Sequence, residues 1–307
     1  SGVKKKLFFW AVNLGLKYEP YGANGWWYEK QLGLARKLIF SKWQAALGGE
    51  LKIMVSGASA LQSRLTRVFA AAGMPIMEGY GLSETSPVTS VNYVEQQGKR
   101  GFRIGTVGKI IRNVEVKIAK NGEILVKGPN VMQGYYKDPD KTAEVIKNGY
   151  FHTGDIGEID KDGFLKITGR TKEMFKTSGG KYVVPPLLEG ELKQSLFIEQ
   201  IMVVGENEKM PAAIIQPNFE YLKDWAGDNN ISFSSNEDLI ANEKVLAEIT
   251  KAVKFCNKNF GKWEQIKAFK LTPDEWTIDG GHLTPTMKMK RAIIKKIYQD
   301  LYDEIYR

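Results

Sequence analysis

Five short runs, in a fixed order, hold the side chains of this chain that are best suited to ligand chemistry. SGAS at 56–59 offers residues too small to keep a flat ring away from the backbone. GYGLSET at 79–85 combines glycines with Tyr80, Ser83 and Glu84. A tyrosine supplies a stacking face and a hydroxyl, and a carboxylate is a hard donor that suits a hard cation. In HTGD at 152–155, Asp155 can accept from two hydroxyls at once. Gly169-Arg170 follows with a guanidinium, always charged and rich in donors. LTPTMKMKR at 283–291 adds two ammonium groups, Lys288 and Lys290. Each run alone reads as an ordinary turn or strand end; their order makes a site.

The run from YFHTGD at 150–155 through GRTK at 169–172 to SGGK at 178–181, together with GYGLSET, resembles the adenylate-forming enzymes. These include acyl-CoA synthetases, luciferases and peptide-synthetase adenylation domains. LTPTMKMKR narrows the likeness to long-chain fatty acyl-CoA synthetases. The resemblance runs from about residue 50 to the end of the chain. No Ser/Thr/Gly-rich phosphate loop ending in Pro-Lys occurs, so the chain reads as the C-terminal portion of a longer enzyme.

The resemblance implies roles residue by residue. Gly57, Ala58 and Ser59 would line one face of adenine, and Gly79 and Tyr80 the other. Ser83 would bond a phosphate oxygen, and Glu84, also counted as catalytic, would help hold magnesium. Asp155 would clamp the ribose, and Arg170 would contact ribose or phosphate near a junction of domains. Lys172 would be the hinge; Lys176, Gly179 and Gly180 would meet CoA. Lys288 is the expected catalytic lysine. The wider family has a glycine before that lysine where this chain has Met287, which leaves Lys290 as an alternative holder of the role.

The implied reaction joins a fatty acid to ATP and then passes the acyl group from AMP to the CoA thiol. No covalent enzyme intermediate is needed, in keeping with a chain that lacks a Ser-His pairing or an evident nucleophilic cysteine. Other readings are an adenylate former acting on another acid or on a carrier-protein thiol, and a nucleotide-binding fragment without turnover.

Composition narrows the remaining classes. One cysteine excludes an internal disulfide and suits a reducing, cytoplasmic compartment. Cys256 falls on an apolar helix face with Val245, Leu246, Ile249, Val253 and Phe260, as core filler. Two histidines and one cysteine are too few soft ligands for a zinc site. His152 is read either as a ligand contact or as a packed turn residue. The net charge of +9 sits in the first 170 residues, with 25 Lys and Arg against 15 Asp and Glu. That half could gather anions such as ATP, CoA or an acidic membrane surface, although its lysines are scattered as on any solvated face. No motif points to nucleic acid. LFFWAVNLGL at 7–16, after three lysines, is too short to span a bilayer. It reads as a helix packed on an absent N-terminal part, with peripheral contact at the inner face of a membrane as the alternative.

The expected architecture is α/β, then β, then α+β. Residues 1–99 form the end of a doubly wound sheet subdomain, with a loop at 20–33 and a buried strand at 51–59. Residues 100–169 form a small β-barrel or sandwich, with one helix from Asp138 as N-cap to a stop at Asn148-Gly149. Residues 170–307 form a mobile α+β domain, hinged near Lys172 and ending in one helix over 291–306.

Overall fold

Amphipathic spacing in LQSRLTRVFAAAG gives a helix that buries Thr66, Val68, Ala70 and Ala71. The computed structural model, which describes residues 2–59, 61–95, 98 and 100–307, packs Val68 and Ala71 of this helix into the core of the first of two compact units. The units divide between Thr168 and Gly169.

The first unit opens with α1 (Gly2–Gly15), α2 (Trp26–Ala35), a π-helical turn and α3 (Ser41–Ala46). Strand β1 (Met54–Ser56), α4 (Ser63–Ala71) and β2 (Ile76–Gly81) then make a β-α-β unit whose strands pair in parallel. Gly73, at φ +84°, closes α4 in the left-handed conformation that ends many helices. Strands β3 (Val88–Val91) and β4 (Lys109–Ile110) complete a four-stranded sheet in the order β1-β2-β3-β4, antiparallel after the first pair. Ala11, Leu14, Leu32, Phe40, Val68 and Met74 fill the core between the helices.

Two expectations change here. Helix α2 begins at Trp26, inside the stretch read as a loop. Strand β1 is an edge strand only three residues long, and Val55 on it is 77% exposed rather than buried.

Strands β5 (Glu115–Ile118) and β6 (Glu123–Lys127), helix α5 (Pro139–Val145), and strands β7 (Ile146–Lys147), β8 (Tyr150–Ile159) and β9 (Leu165–Arg170) follow. Their sheet runs β5-β6-β8-β7, with β9 also on β8, and does not close into a barrel. Ile124, Val126 and Leu165 form its core. Asp138 caps α5 by accepting from the Lys141 amide at 3.0 Å. Asn148-Gly149 does not stop that helix: with φ +51° and +77°, it is the tight turn between β7 and β8.

The second unit contains β10 (Phe175–Lys176), β11 (Tyr182–Val183), α6 (Pro185–Leu192), β12 (Ile198–Val204) and β13 (Ala212–Pro217). Then come α7 (Phe219–Asp228), α8 (Asn236–Ala241), α9 (Glu243–Asn257), β14 (Ala268–Leu271), α10 (Arg291–Ile297) and α11 (Gln299–Tyr306). Strand β13 is central, antiparallel to β12 and parallel to β14. One face of the sheet packs on α6, α7 and α9 through residues such as Leu188, Ile201, Ile215, Leu222 and Ile249. The other packs on Leu283, Ile294, Tyr298 and Tyr302. Cys256 is 2% exposed, and burial pushes its thiol up to about 12, as suits filler. The terminal helix is two helices broken at Tyr298, whose buried ring is centred 6.0 Å from that of Trp276 and 6.2 Å from that of His282.

Removing a fully buried branched side chain costs transfer energy and leaves a cavity. Ile215→Ala, at a 0% exposed position of β13, should destabilise by about 2–5 kcal/mol. Phe255→Ala, 68% exposed on α9, should stay within about 0.5 kcal/mol. Urea midpoints of the two variants measure the contrast.

Candidate functional site

The SGAS loop leaves β1 at its carboxyl end, level with the middle of β2, because the register pairs Ser56 with Glu78. The carboxyl ends of parallel strands are where open α/β sheets bind ligands. Gly57 lies against Gly79, where an added Cβ would sit 3.8 Å from the Gly79 carbonyl. Ala58 has φ +65°, a left-handed conformation that costs a residue with a side chain about 1 kcal/mol or more. Gly57, Ala58 and Ser59 are all exposed.

Past Tyr80 the GYGLSET run folds back on itself. A Cβ at Gly81 would fall 1.5 Å from the Pro87 carbonyl oxygen, so only glycine permits the fold-back. Ser83, Glu84 and Thr85 form a 3₁₀ turn, with Ser83 exposed and Glu84 half-buried. Glu84 is held twice: its Oε1 accepts from the Tyr135 hydroxyl at 2.8 Å, and its carbonyl accepts from the Met132 amide at 2.8 Å. Burial first, then the Glu84 carboxylate, raises the Tyr135 phenol above its ordinary value. Among the described residues no three acidic, histidine or cysteine side chains gather as a metal cluster. A lone carboxylate fits magnesium carried on a triphosphate, which commonly takes one or two protein carboxylates beside phosphate oxygens.

HTGD is not a turn but a bulge within the ten-residue strand β8. Leu125 pairs with His152, while Glu123, two residues earlier on β6, pairs with Ile156. Two residues are therefore extra on β8, and Gly154 absorbs them at φ +72°. Thr153 donates to the Ile124 carbonyl at 2.8 Å and accepts from the Asp155 amide at 3.1 Å. Glu123 accepts from the Gly154 amide at 3.0 Å, and His152 Nδ1 lies 3.0 Å from its other oxygen. His152 is thus packed within the sheet. The bulge aims Asp155 inward, 3% exposed, where the Tyr80 hydroxyl donates to Oδ2 at 2.7 Å. Tyr80 packs against the sheet core around Val126 and Leu165. Side chains 75 residues apart in sequence so meet in one contact.

Glu78, Tyr135 and Glu123 escaped the sequence reading, because their partners lie on other elements distant in sequence and no local spacing marks them. Glu78 is 8% exposed on β2, immediately before Gly79. Its carboxylate accepts from the Thr66 hydroxyl at 3.1 Å and from the Leu61 backbone, just beyond the small-residue loop. Burial raises its carboxyl to about 7, against the pull of those two bonds.

The other expected residues lie in the second unit on separate loops. Arg170 ends β9, and Lys172 sits in the 3₁₀ turn Thr171–Glu173; both are exposed. Lys176 ends β10 with Nζ 5.3 Å from the Tyr182 ring centre. Gly179 and Gly180 form the exposed tip of the β10–β11 hairpin, closed by the Gly180 amide on the Thr177 carbonyl at 2.8 Å. Lys288 is exposed and Lys290 half-buried. Met287, standing where the family has glycine, adopts φ +62° and keeps the conformation that glycine would favour.

This order of sheets and motifs is that of the adenylate-forming enzymes, and the chain belongs to the AMP-binding enzyme family. Residues 22–136 match the AMP-binding enzyme domain, and residues 173–307 match the AMP-binding enzyme C-terminal domain. It is 39% identical over 271 residues to the long-chain-fatty-acid–CoA ligase FadD15 of Mycobacterium tuberculosis, covering 88% of this chain and 44% of that protein. It is 37% identical to long-chain-fatty-acid–CoA ligase 1 of Homo sapiens, covering 88% of this chain and 40% of that protein. The chain spans less than half the length of these relatives. In fold it is similar to the adenylation domain of a Mycobacterium chelonae carboxylate reductase, with TM-score 0.65 and 19% identity over 99% of this chain and 45% of that one. It is likewise similar to an anthranilate CoA ligase, with TM-score 0.60 and 21% identity over 81% of this chain and 45% of that one.

Glu78 makes stability depend on pH. An acid whose folded value of about 7 exceeds its ordinary 4.5 costs nothing below that lower value, increasingly more between the two, and a constant amount above the higher. Glu78→Gln removes the titration. The variant should gain on the parent as pH rises through this window and then hold a steady advantage of at most about 3 kcal/mol. Thermal melts at about pH 4, 6 and 8 check this; a difference that stays the same at all three contradicts it.

Proposed function

We propose that this chain is the C-terminal portion of a long-chain fatty acid–CoA ligase. The observation that carries the reading is the Tyr80–Asp155 hydrogen bond, which joins the two motifs most specific for nucleotide binding. Relatives at 36–39% identity that are long-chain-fatty-acid–CoA ligases support the substrate class. Their length, more than twice that covered here, supports a larger enzyme that supplies the phosphate loop. Exposed Leu7, Phe8, Trp26 and Trp27 on α1 and α2 suit packing against that further part.

In this reading adenine lies between the Gly57–Ser59 loop and Gly79-Tyr80, with the ribose at Asp155 and Arg170 near the nucleotide. Ser83 meets a phosphate oxygen. Glu84, steadied by Tyr135, would hold the magnesium that neutralises triphosphate charge. The fatty acid carboxylate attacks the α-phosphorus, and the bond to pyrophosphate breaks. Lys288 stabilises the charge that builds on the α-phosphate oxygens. The chain then turns at Lys172, and Lys176, Gly179 and Gly180 meet CoA. The CoA sulfur attacks the acyl carbon, AMP departs with the electron pair of the acyl–oxygen bond, and the thiol proton passes to solvent. Positioning and electrostatics carry both steps.

With palmitate and ATP, the full-length enzyme should release pyrophosphate and this chain alone should not, while still binding AMP weakly by calorimetry. Robust turnover by the chain alone would sink the idea that it is a portion. In the full-length enzyme, Lys288→Ala should lower adenylation by about 10²–10³ and spare thioester formation from supplied acyl-adenylate. The selective phenotype in Lys290→Ala instead would transfer the role to Lys290. Offering CoA and a holo-carrier protein in parallel separates CoA ligation from carrier loading.

A further inference from the structure

Lys288 stands on a small hairpin whose hydrogen bonds are mostly its own. The Met287 amide donates to the Thr284 carbonyl at 2.8 Å, and the Thr284 amide to the Lys288 carbonyl at 2.8 Å. The Lys288 amide donates to Thr284 Oγ1 at 3.0 Å, and Leu283 bridges to Met289. These bonds shape the loop but do not aim it. Thr286, Met287 and Lys288 are exposed, so packing at the tip does not aim it either.

Its aim comes from the two ends. Before the hairpin, Leu283 is fully buried and the His282 ring stacks near Trp276 and Tyr298. After it, Arg291 opens α10 and donates to Glu189 Oε2 on α6 at 2.6 Å. Glu189 is 4% exposed, and its Oε1 accepts from the Val203 amide on β12 at 2.8 Å. Strand β12 is an edge strand, so the outward Val203 amide has no neighbouring strand to satisfy it. One buried carboxylate thereby joins α6, the sheet edge and the root of the hairpin. A buried charge is tolerated when it is paired and its remaining lone pairs are bonded, and both conditions hold at Glu189.

We propose that Glu189 and Arg291 are positioning residues for the lysine hairpin: their ion pair fixes the direction in which Lys288 is presented. Arg291 follows Lys288 by three residues, so freeing it loosens the arm that carries the ammonium. This rests on the adenylation role of Lys288 given above. A displacement of about 1 Å remote from the chemistry can lower a rate about 10²-fold.

The test uses the full-length enzyme carrying Arg291→Met, Arg291→Lys or Glu189→Gln, with Lys288→Ala as reference. Arg291→Met should lower the adenylation kcat by about 10²-fold with KM for ATP nearly unchanged, and spare thioester formation from supplied palmitoyl-adenylate. Arg291→Lys, which retains charge but not the planar fork, should recover part of the loss. The double variant Lys288→Ala/Arg291→Met should adenylate no more slowly than Lys288→Ala alone, because residues acting through one contact do not add. Hydrogen exchange at residues 283–290 should quicken at least about tenfold in Arg291→Met, with β13 unchanged. Equal losses in both half-reactions, additive losses in the double variant, or unaltered exchange in the hairpin each overturn the proposal. If Lys288→Ala adenylates normally while Arg291→Met still loosens the hairpin, the anchor stands and the role given to Lys288 falls.

Discussion

The extra residues in β8 are the constraint on which the first unit's site depends. A regular strand would pair Glu123 and Leu125 with two positions two apart; here they face Ile156 and His152, four apart. The surplus bulges at Thr153, Gly154 and Asp155, and Gly154 takes the left-handed turn. Without the bulge, the alternation of strand side chains would set the direction of Asp155 by its distance from His152 alone. With it, Asp155 meets the Tyr80 hydroxyl and couples the α/β part of the unit to the small β sheet. The surrounding bonds from Thr153 and Glu123 hold the distortion in place.

The same logic recurs at three carboxylates with different tasks. Glu78 ties Leu61 to α4, Glu84 is bound to Tyr135, and Glu189 joins Val203 to Arg291. Glu189 pairs with the Arg291 guanidinium, and burial raises the Glu78 carboxyl to about 7. A buried acid bonded to neutral donors gains too little to offset desolvation, whereas a guanidinium partner supports the ionised form. The environment, not the residue type, separates the titrating brace at Glu78 from the ion-paired anchor at Glu189.

Much of the fold was legible because its signals are local. The 3.6-residue period in α4 and α9, the Asp138 cap and the short apolar runs of β12 and β13 depend on neighbours in sequence. Errors fell where packing overrode local signals. Trp26 and Trp27 begin a helix because Tyr28, Leu32 and Ala35 behind them reach the core. Asn148-Gly149 fits a helix stop as well as a hairpin turn, and the pairing of β7 with β8 chose the turn. The terminal helix breaks at Tyr298 where the buried ring meets Trp276 and His282, a contact 16 to 22 residues away.

By itself the sequence determined the family and the order of its motifs, because ordered short runs are a linear property. It also determined which side chains have the right chemistry: the carboxylates, the guanidinium and the ammonium groups. Only the tertiary structure decided which of them meet. It made Tyr80 the partner of Asp155, Tyr135 the partner of Glu84, and Arg291 the partner of Glu189. Those pairs span 75, 51 and 102 residues. No periodicity reaches so far; strand register and helix packing bring such residues together, and both arise from burying the whole core at once.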